Sequence, residues 1–118
     1  MIKPIEIVKN YYGAFDSHDF QRARSLMHDE FRFTGPMMEA TSPEEFFAKM
    51  KDFDCEYKSR IVHMVEDGDT VGVLLDCTFT RPFSATIRMS EWFRIDGDKI
   101  ISSNLVYDTR QMPAMQAS

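Results

Sequence analysis

The residues whose type and spacing suit chemistry cluster at the end of the last predicted strand, Lys99-Ile100-Ile101-Ser102-Ser103-Asn104-Leu105-Val106-Tyr107-Asp108. Strand alternation puts Asn104, Val106 and Asp108 on one face. A face that mixes Val, Asn and Asp reads as a pocket wall rather than a core. A carboxylate on an apolar wall is pushed up in pKa by desolvation, which suits proton abstraction next to a carbonyl. Asp108 is therefore the first candidate for a general acid or base, with Asn104 to orient a carbonyl. The alternative is that Asp108 merely ends the strand or pairs with Arg88 or Arg110.

Other candidates are weaker. Tyr12 shares a predicted helix face with Val8 and Phe15, so its hydroxyl can reach a cavity or can be a satisfied core group. His28 and His63 are possible acid/base groups, although a lone histidine is more often structural. His18 falls in a helix-ending turn. Asp16, Asp19 and Asp29 read as helix-terminal caps, and Asp67 and Asp69 as turn acids. Asp76, beside Leu75 and Cys77, can neutralise Arg88 on the neighbouring strand. No spacing joins these histidines and acids into a metal site, and no nucleotide loop, nucleophile elbow or Cys/His pair is present. No cofactor is expected.

The elements that must position these residues follow from pattern. Pro4 opens a helix whose apolar residues Ile5, Val8, Tyr12 and Phe15 share one face and which ends near Asp16-Ser17-His18. Asp19 caps a second, short helix carrying Ala23, Leu26 and Met27. Phe31 to Thr34 alternates as a strand stopped by Gly35-Pro36. Thr41-Ser42-Pro43-Glu44-Glu45 is the clearest cap: Ser42 at N-cap, Pro43 at N1 and Glu45 completing a capping box. Its helix carries Phe46, Phe47, Met50 and Phe53. Four long strands come next, about Glu56–Val65, Thr70–Thr80, Ser84–Ile95 and the closing strand. Asp-Gly turns at Asp67-Gly68 and Asp96-Gly97 join the first pair and the last pair, as type I′ hairpins demand.

Helices first and antiparallel strands last indicate an α+β fold with the helices on one sheet face. If Ile95 faces Asp98, then Phe93 lies opposite Ile100, Met89 opposite Asn104, Ile87 opposite Val106 and Ala85 opposite Asp108. One face then carries Ile87, Met89, Phe93, Ile100 and Val106, interrupted by Glu91, Ser102, Asn104 and Asp108. That composition fits a ligand pocket with few polar groups. In this register Glu91 and Asp108 stand roughly 20 Å apart along the strands, too far for a carboxylate pair. The expected pocket residues are Tyr12, Phe15, Phe33, Phe47, Met50, Met89, Asn104 and Val106. The other face, with Trp92, Leu105 and Tyr107, is the expected homodimer surface.

Bulk composition narrows the classes. The 118 residues suit one domain, expected over 1–109, with a patternless tail at 110–118 that is disordered or a pocket flap. A net charge of −5 argues against nucleic acid, which calls for a basic face. The ten Phe and nine Met suggest a soft apolar interior, either a Met-rich core or a hydrophobic ligand cavity. Cys55 and Cys77 read as reduced thiols, and the opening residues show neither a signal-peptide pattern nor a run of eighteen apolar residues. A cytoplasmic protein without membrane association is expected.

The order of elements resembles the SnoaL-like branch of the nuclear transport factor 2-like superfamily. The resemblance lies in Ile7 to Asp19 (IVKNYYGAFDSHD), Met27-His28-Asp29-Glu30-Phe31, and Phe93 to Ile100 (FRIDGDKI) with Tyr107-Asp108. It implies a cystatin-like cone, a curved sheet wrapped around a pocket, usually in a dimer. In SnoaL-like cyclases an acidic residue inside the cone is the general acid/base, and Asp108 is similar in position. In the steroid-isomerase relatives a tyrosine of the first helix donates to the substrate oxyanion, a placement that Tyr11 or Tyr12 resembles. Those isomerases carry their base just before a proline after the first strand; here Gly35 precedes Pro36, a departure that argues against steroid-isomerase chemistry. The scaffold hosts cyclases, isomerases, hydrolases, dehydratases and non-catalytic proteins. The reading is a small apolar ligand in the cone, with cofactor-free isomerase, cyclase or dehydratase chemistry. Its rivals are a non-catalytic binder and a protein-interaction module using the outer sheet face.

Overall fold

The computed structural model describes residues 2–111. Helix α1 (Pro4–Asp16) has no side-chain cap of its own at Lys3. Glu66 supplies one from far along the chain, its Oε1 accepting from the Ile5 amide at 2.9 Å. A carboxylate there suits the positive end of the helix dipole. Helix α2 (Phe20–Ser25) is capped by Asp19, which accepts from the Arg22 amide at 3.1 Å. It stops before Met27, which begins strand β1 (Met27–Thr34) instead of extending the helix. After the short β2 (Glu39–Ala40), helix α3 (Pro43–Phe53) begins at Ser42, whose Oγ accepts from the Glu45 amide at 3.1 Å. Glu45 reaches back to the Thr41 amide at 2.7 Å, one residue earlier than an ordinary capping box.

Four long strands follow: β3 (Glu56–Asp67), β4 (Thr70–Arg81), β5 (Ala85–Asp96) and β6 (Lys99–Tyr107), with a 3-10 turn at Thr109–Gln111. The sheet order is β2-β1-β6-β5-β4-β3. All pairings are antiparallel except β1 with β6, so the sheet is mixed. It curves around the three helices without closing, the cone of the α+β reading. Of the tail expected at 110–118, residues 112–118 lie outside the described residues.

The concave face is apolar. It carries Val71, Val73, Leu75, Cys77 and Phe79 from β4 and Ile87, Met89, Phe93 and Ile95 from β5, all buried. Helix α1 closes over it with Ile7, Val8, Tyr11 and Tyr12. The convex face carries charge. Asp76 receives Arg88 Nε at 2.6 Å and Arg60 at 2.8 Å, the cross-strand neutralisation expected for Arg88.

The β5–β6 register corrects the sequence reading. Asp96 pairs with Lys99, so the loop is Gly97-Asp98. Only Gly97, at φ 67°, is left-handed there, whereas type I′ needs two such residues. Ile95 pairs with Ile100 but Arg94 with Ser102, leaving Ile101 as a bulged residue. A one-residue bulge exchanges the two faces of everything beyond it. Asn104 and Val106 thus share a face, but it is the convex one, opposite Trp92 and Ser90. Leu105 and Tyr107, expected outside, pair with the inward Glu91 and Met89.

Candidate functional site

The helices and the concave sheet face enclose a cavity of about 770 Å³. Tyr12 and Phe15 reach it from α1, Phe33 from β1, Phe47 and Met50 from α3, and Met89 from β5. These are six of the eight expected wall residues. Leu105 and Tyr107 line it in place of Asn104 and Val106. The bulge at Ile101 accounts for the exchange.

Asp108 is not on this wall. It follows β6 with a half-exposed side chain and is clasped by Arg110, whose Nη2 donates at 2.5 Å. That guanidinium holds the Asp108 carboxyl at about 2. An exposed carboxylate so paired is a poor proton acceptor. His63 lies on the convex face, exposed, opposite Leu74. His28 lies 3.5 Å from Asp96 and accepts from the Glu30 amide through Nδ1. Neither histidine borders the cavity, whereas His18 does.

The cavity's carboxylate is Glu91, the one Asp or Glu on its wall among the described residues. It stands at the middle of β5, inward between Met89 and Phe93, and is 6% exposed. Tyr12 Oη donates to Oε1 and Ser103 Oγ to Oε2, each at 2.5 Å. Burial pushes the Glu91 carboxyl up, against the lowering pull of these two donors. Burial and the nearby Glu91 likewise drive the Tyr12 phenol far above its ordinary value, so it remains a donor. Cys77, also on the wall, is pushed up by burial to about 12 and stays a thiol. Glu91 is thus a single carboxyl on a mostly apolar wall, oriented from both sides, with His18, Arg24 and Lys51 also among the lining residues. The sequence pattern places Glu91 on the pocket face without marking it as a candidate. Its signal is a charged residue at an inward position of Ile87-x-Met89-x-Glu91-x-Phe93-x-Ile95.

Among the described residues no cluster of three His, Cys, Asp or Glu side chains is placed to hold a metal ion, and no helix is long and apolar enough to cross a membrane.

A family model described as "SnoaL-like domain" matches residues 8–103. The chain belongs to the SnoaL-like domain family. No curated protein matches it. Among solved structures, this SnoaL-like chain is similar to an NTF2-like protein of unknown function from Cytophaga hutchinsonii, with 22% identity, TM-score 0.83 and coverage of 95% of this chain and 96% of that one. It is also similar to an LEH-like epoxide hydrolase of M. tuberculosis, with 14% identity, TM-score 0.82 and coverage of 95% and 87%. A third is IdmH from Streptomyces antibioticus, a candidate polyketide cyclase, with 15% identity, TM-score 0.81 and coverage of 99% and 100%. At these identities the likeness is one of fold.

Proposed function

We propose that this SnoaL-like protein takes a small, largely apolar molecule into the cavity and transfers a proton on it, with Glu91 as the general acid/base and no cofactor. The reaction classes that fit are isomerisation, aldol-type cyclisation and dehydration. The observation that carries the reading is the lone, desolvated carboxylate on an apolar wall. Burial makes the Glu91 carboxylate a stronger base than an exposed one, and its protonated form can return the proton. Tyr12 and Ser103 hold the carboxylate in place, so little reorganisation accompanies transfer. The use of the same fold by an epoxide hydrolase and a candidate cyclase supports chemistry at the cavity.

The test is hydrogen–deuterium exchange α to the carbonyl of 2-tetralone, followed by NMR in D2O. The wild-type protein should accelerate exchange, and Glu91→Gln should lower that acceleration by about a hundredfold or more. Equal rates for the two proteins would remove Glu91 from the chemistry. A non-catalytic binder is the second reading. It is favoured by the fact that both Glu91 oxygens already hold a donor. Native mass spectrometry showing a retained apolar compound, without turnover of any proton donor tried, would select it.

Two further proposals concern the setting. The convex face exposes Trp92 at 48% and Val106 at 56%, with Leu74 beside them, and we assign it to a homodimer contact. Leu105 and Tyr107 no longer belong to that contact. Cys55 and Cys77 are not joined in a disulfide, as a reducing cytoplasm would keep them.

A further inference from the structure

Charge on the cavity wall is unevenly placed. Glu91 is buried on the sheet side, held by Tyr12 and Ser103. The other charged side chains on the wall, Arg24 and Lys51, are basic, as is His18. Phe20, between His18 and Arg24 in the chain, lines the cavity and is still 47% exposed, so the cavity meets solvent there. Tyr12 lies six positions before His18, roughly 9 Å at the helical rise, so the mouth and Glu91 are apart.

Two of the three basic groups converge at this mouth. The Phe20 ring lies 6.2 Å from Phe47 and 5.8 Å from His18. Lys51 is one turn beyond Phe47 on α3, at the spacing that shares a helix face. Arg24 reaches Glu44, at the other end of α3, at 3.6 Å and Asp29 at 3.0 Å, so its charge is answered. Helix α2 therefore runs against α3, and His18, just before α2, faces the Lys51 end. Lys51 makes no ion pair or hydrogen bond with any described residue, and the His18 ring makes only its contact with Phe20. The neighbouring acids do not line the cavity. Asp19 caps α2, Asp16 accepts from the Ser59 amide at 3.4 Å, and Asp54 pairs with Arg81. Asp52 borders a second groove beside Lys49. His18 carries a further mark. It stands just past α1 with φ 58°, in the left-handed region where glycine is least strained. The turn itself needs no imidazole; the cavity mouth gains a donor from it.

Resting on the reading that the cavity takes a largely apolar molecule, we infer that its ligand is an amphipathic carboxylate. The apolar body fills the chamber, and the carboxylate stays at the mouth between Lys51 and His18. There it keeps part of its water and gains charge-assisted hydrogen bonds. Deeper in, it would share a desolvated chamber with Glu91. One unpaired ammonium suits a monoanion better than a dianion.

Octanoate and 1-octanol test this, since they share a chain and differ in the head group. An apolar wall alone favours 1-octanol, because a carboxylate is harder to strip of water. Titrations at neutral pH followed by ligand-observed NMR should instead show octanoate binding about tenfold tighter. In the His18→Gly/Lys51→Met double variant that preference should vanish while 1-octanol still binds as before. Glycine fits the left-handed turn and Met keeps most of the Lys51 stem, so the variant should fold. Equal or tighter binding of 1-octanol to the wild type, or an octanoate preference retained in the double variant, would overturn the inference and leave the cavity's apolar character standing. If neither compound binds, the cavity reading and this inference fall together.

Discussion

Glu91→Gln should change how stability depends on pH, in a direction the structure sets. Burial raises the folded-state pKa of Glu91 above its ordinary value of 4.5. A folded pKa above the unfolded one means that folding takes up a proton in the window between them. Wild-type stability from this group is therefore complete below about pH 4.5 and falls as pH rises through the folded pKa. One proton corresponds to a slope of about 1.4 kcal/mol per pH unit across that window. The substituted amide would not titrate, and it can still exchange hydrogen bonds with Tyr12 and Ser103. Every other titrating group is common to both proteins and cancels in the difference. Asp76 and Asp108 are lowered by their arginines, so their own effect lies at more acid pH. The assay is urea denaturation at intervals from pH 4 to pH 8, read by the single tryptophan, Trp92. Stability of the variant relative to wild type should climb with pH. Parallel curves, or a wild type that gains on the variant as pH rises, would refute the claim that burial dominates over the two hydroxyl donors.

The remaining predictions concern packing, assembly and the discarded candidate. Phe93 is fully buried, with the rings of Tyr11 and Tyr12 on its edges, so Phe93→Ala should cost about 3–5 kcal/mol in chemical denaturation. A Cβ on Gly72 would stand 2.6 Å from the Trp92 ring, which is half exposed and can swing away. Gly72→Ala should therefore shift Trp92 emission while changing stability by less than about 1 kcal/mol. Trp92→Glu should turn a dimer into a monomer by light scattering during gel filtration; a wild type that is already monomeric refutes the convex-face contact. Asp108→Asn should leave tetralone exchange and binding within about twofold of wild type, because its carboxylate is turned to Arg110 and solvent.

The hairpins were legible because their signals are local. Gly68 and Gly97 both adopt positive φ at loops of two residues, and an Asp-Gly pair between strand formers marks such loops from sequence. The Ser42 cap was legible for the same reason, since its partner lies three residues away. The cap on α1 was not, because Glu66 arrives from 61 positions along the chain. The wall residues Tyr12, Phe15, Phe33, Phe47, Met50 and Met89 followed from helical and strand periodicity alone.

What failed was the facing of β6, and the failure traces to one residue. Moving the loop by one position on each strand shifts every pair by two and leaves the faces unchanged. The bulge at Ile101 shifts them by one and exchanges the faces. Nothing in Ile100-Ile101-Ser102-Ser103 announces it, because two apolar residues followed by two serines suit either facing. Ile100 and Ser103 both end up on the concave face, opposite Ile95 and Phe93 and three positions apart, which the alternation of an unbroken strand does not allow. The same bulge brings Ser103 inward to bond Glu91 and turns Asn104 and Val106 outward. Strand β5, by contrast, alternates without a break from Ile87 to Ile95, so its one inward charge could be trusted from sequence. A carboxylate that interrupts a regular apolar face is a firmer pointer to the cavity wall than one that merely ends a strand, because the regular pattern fixes its direction and its burial together.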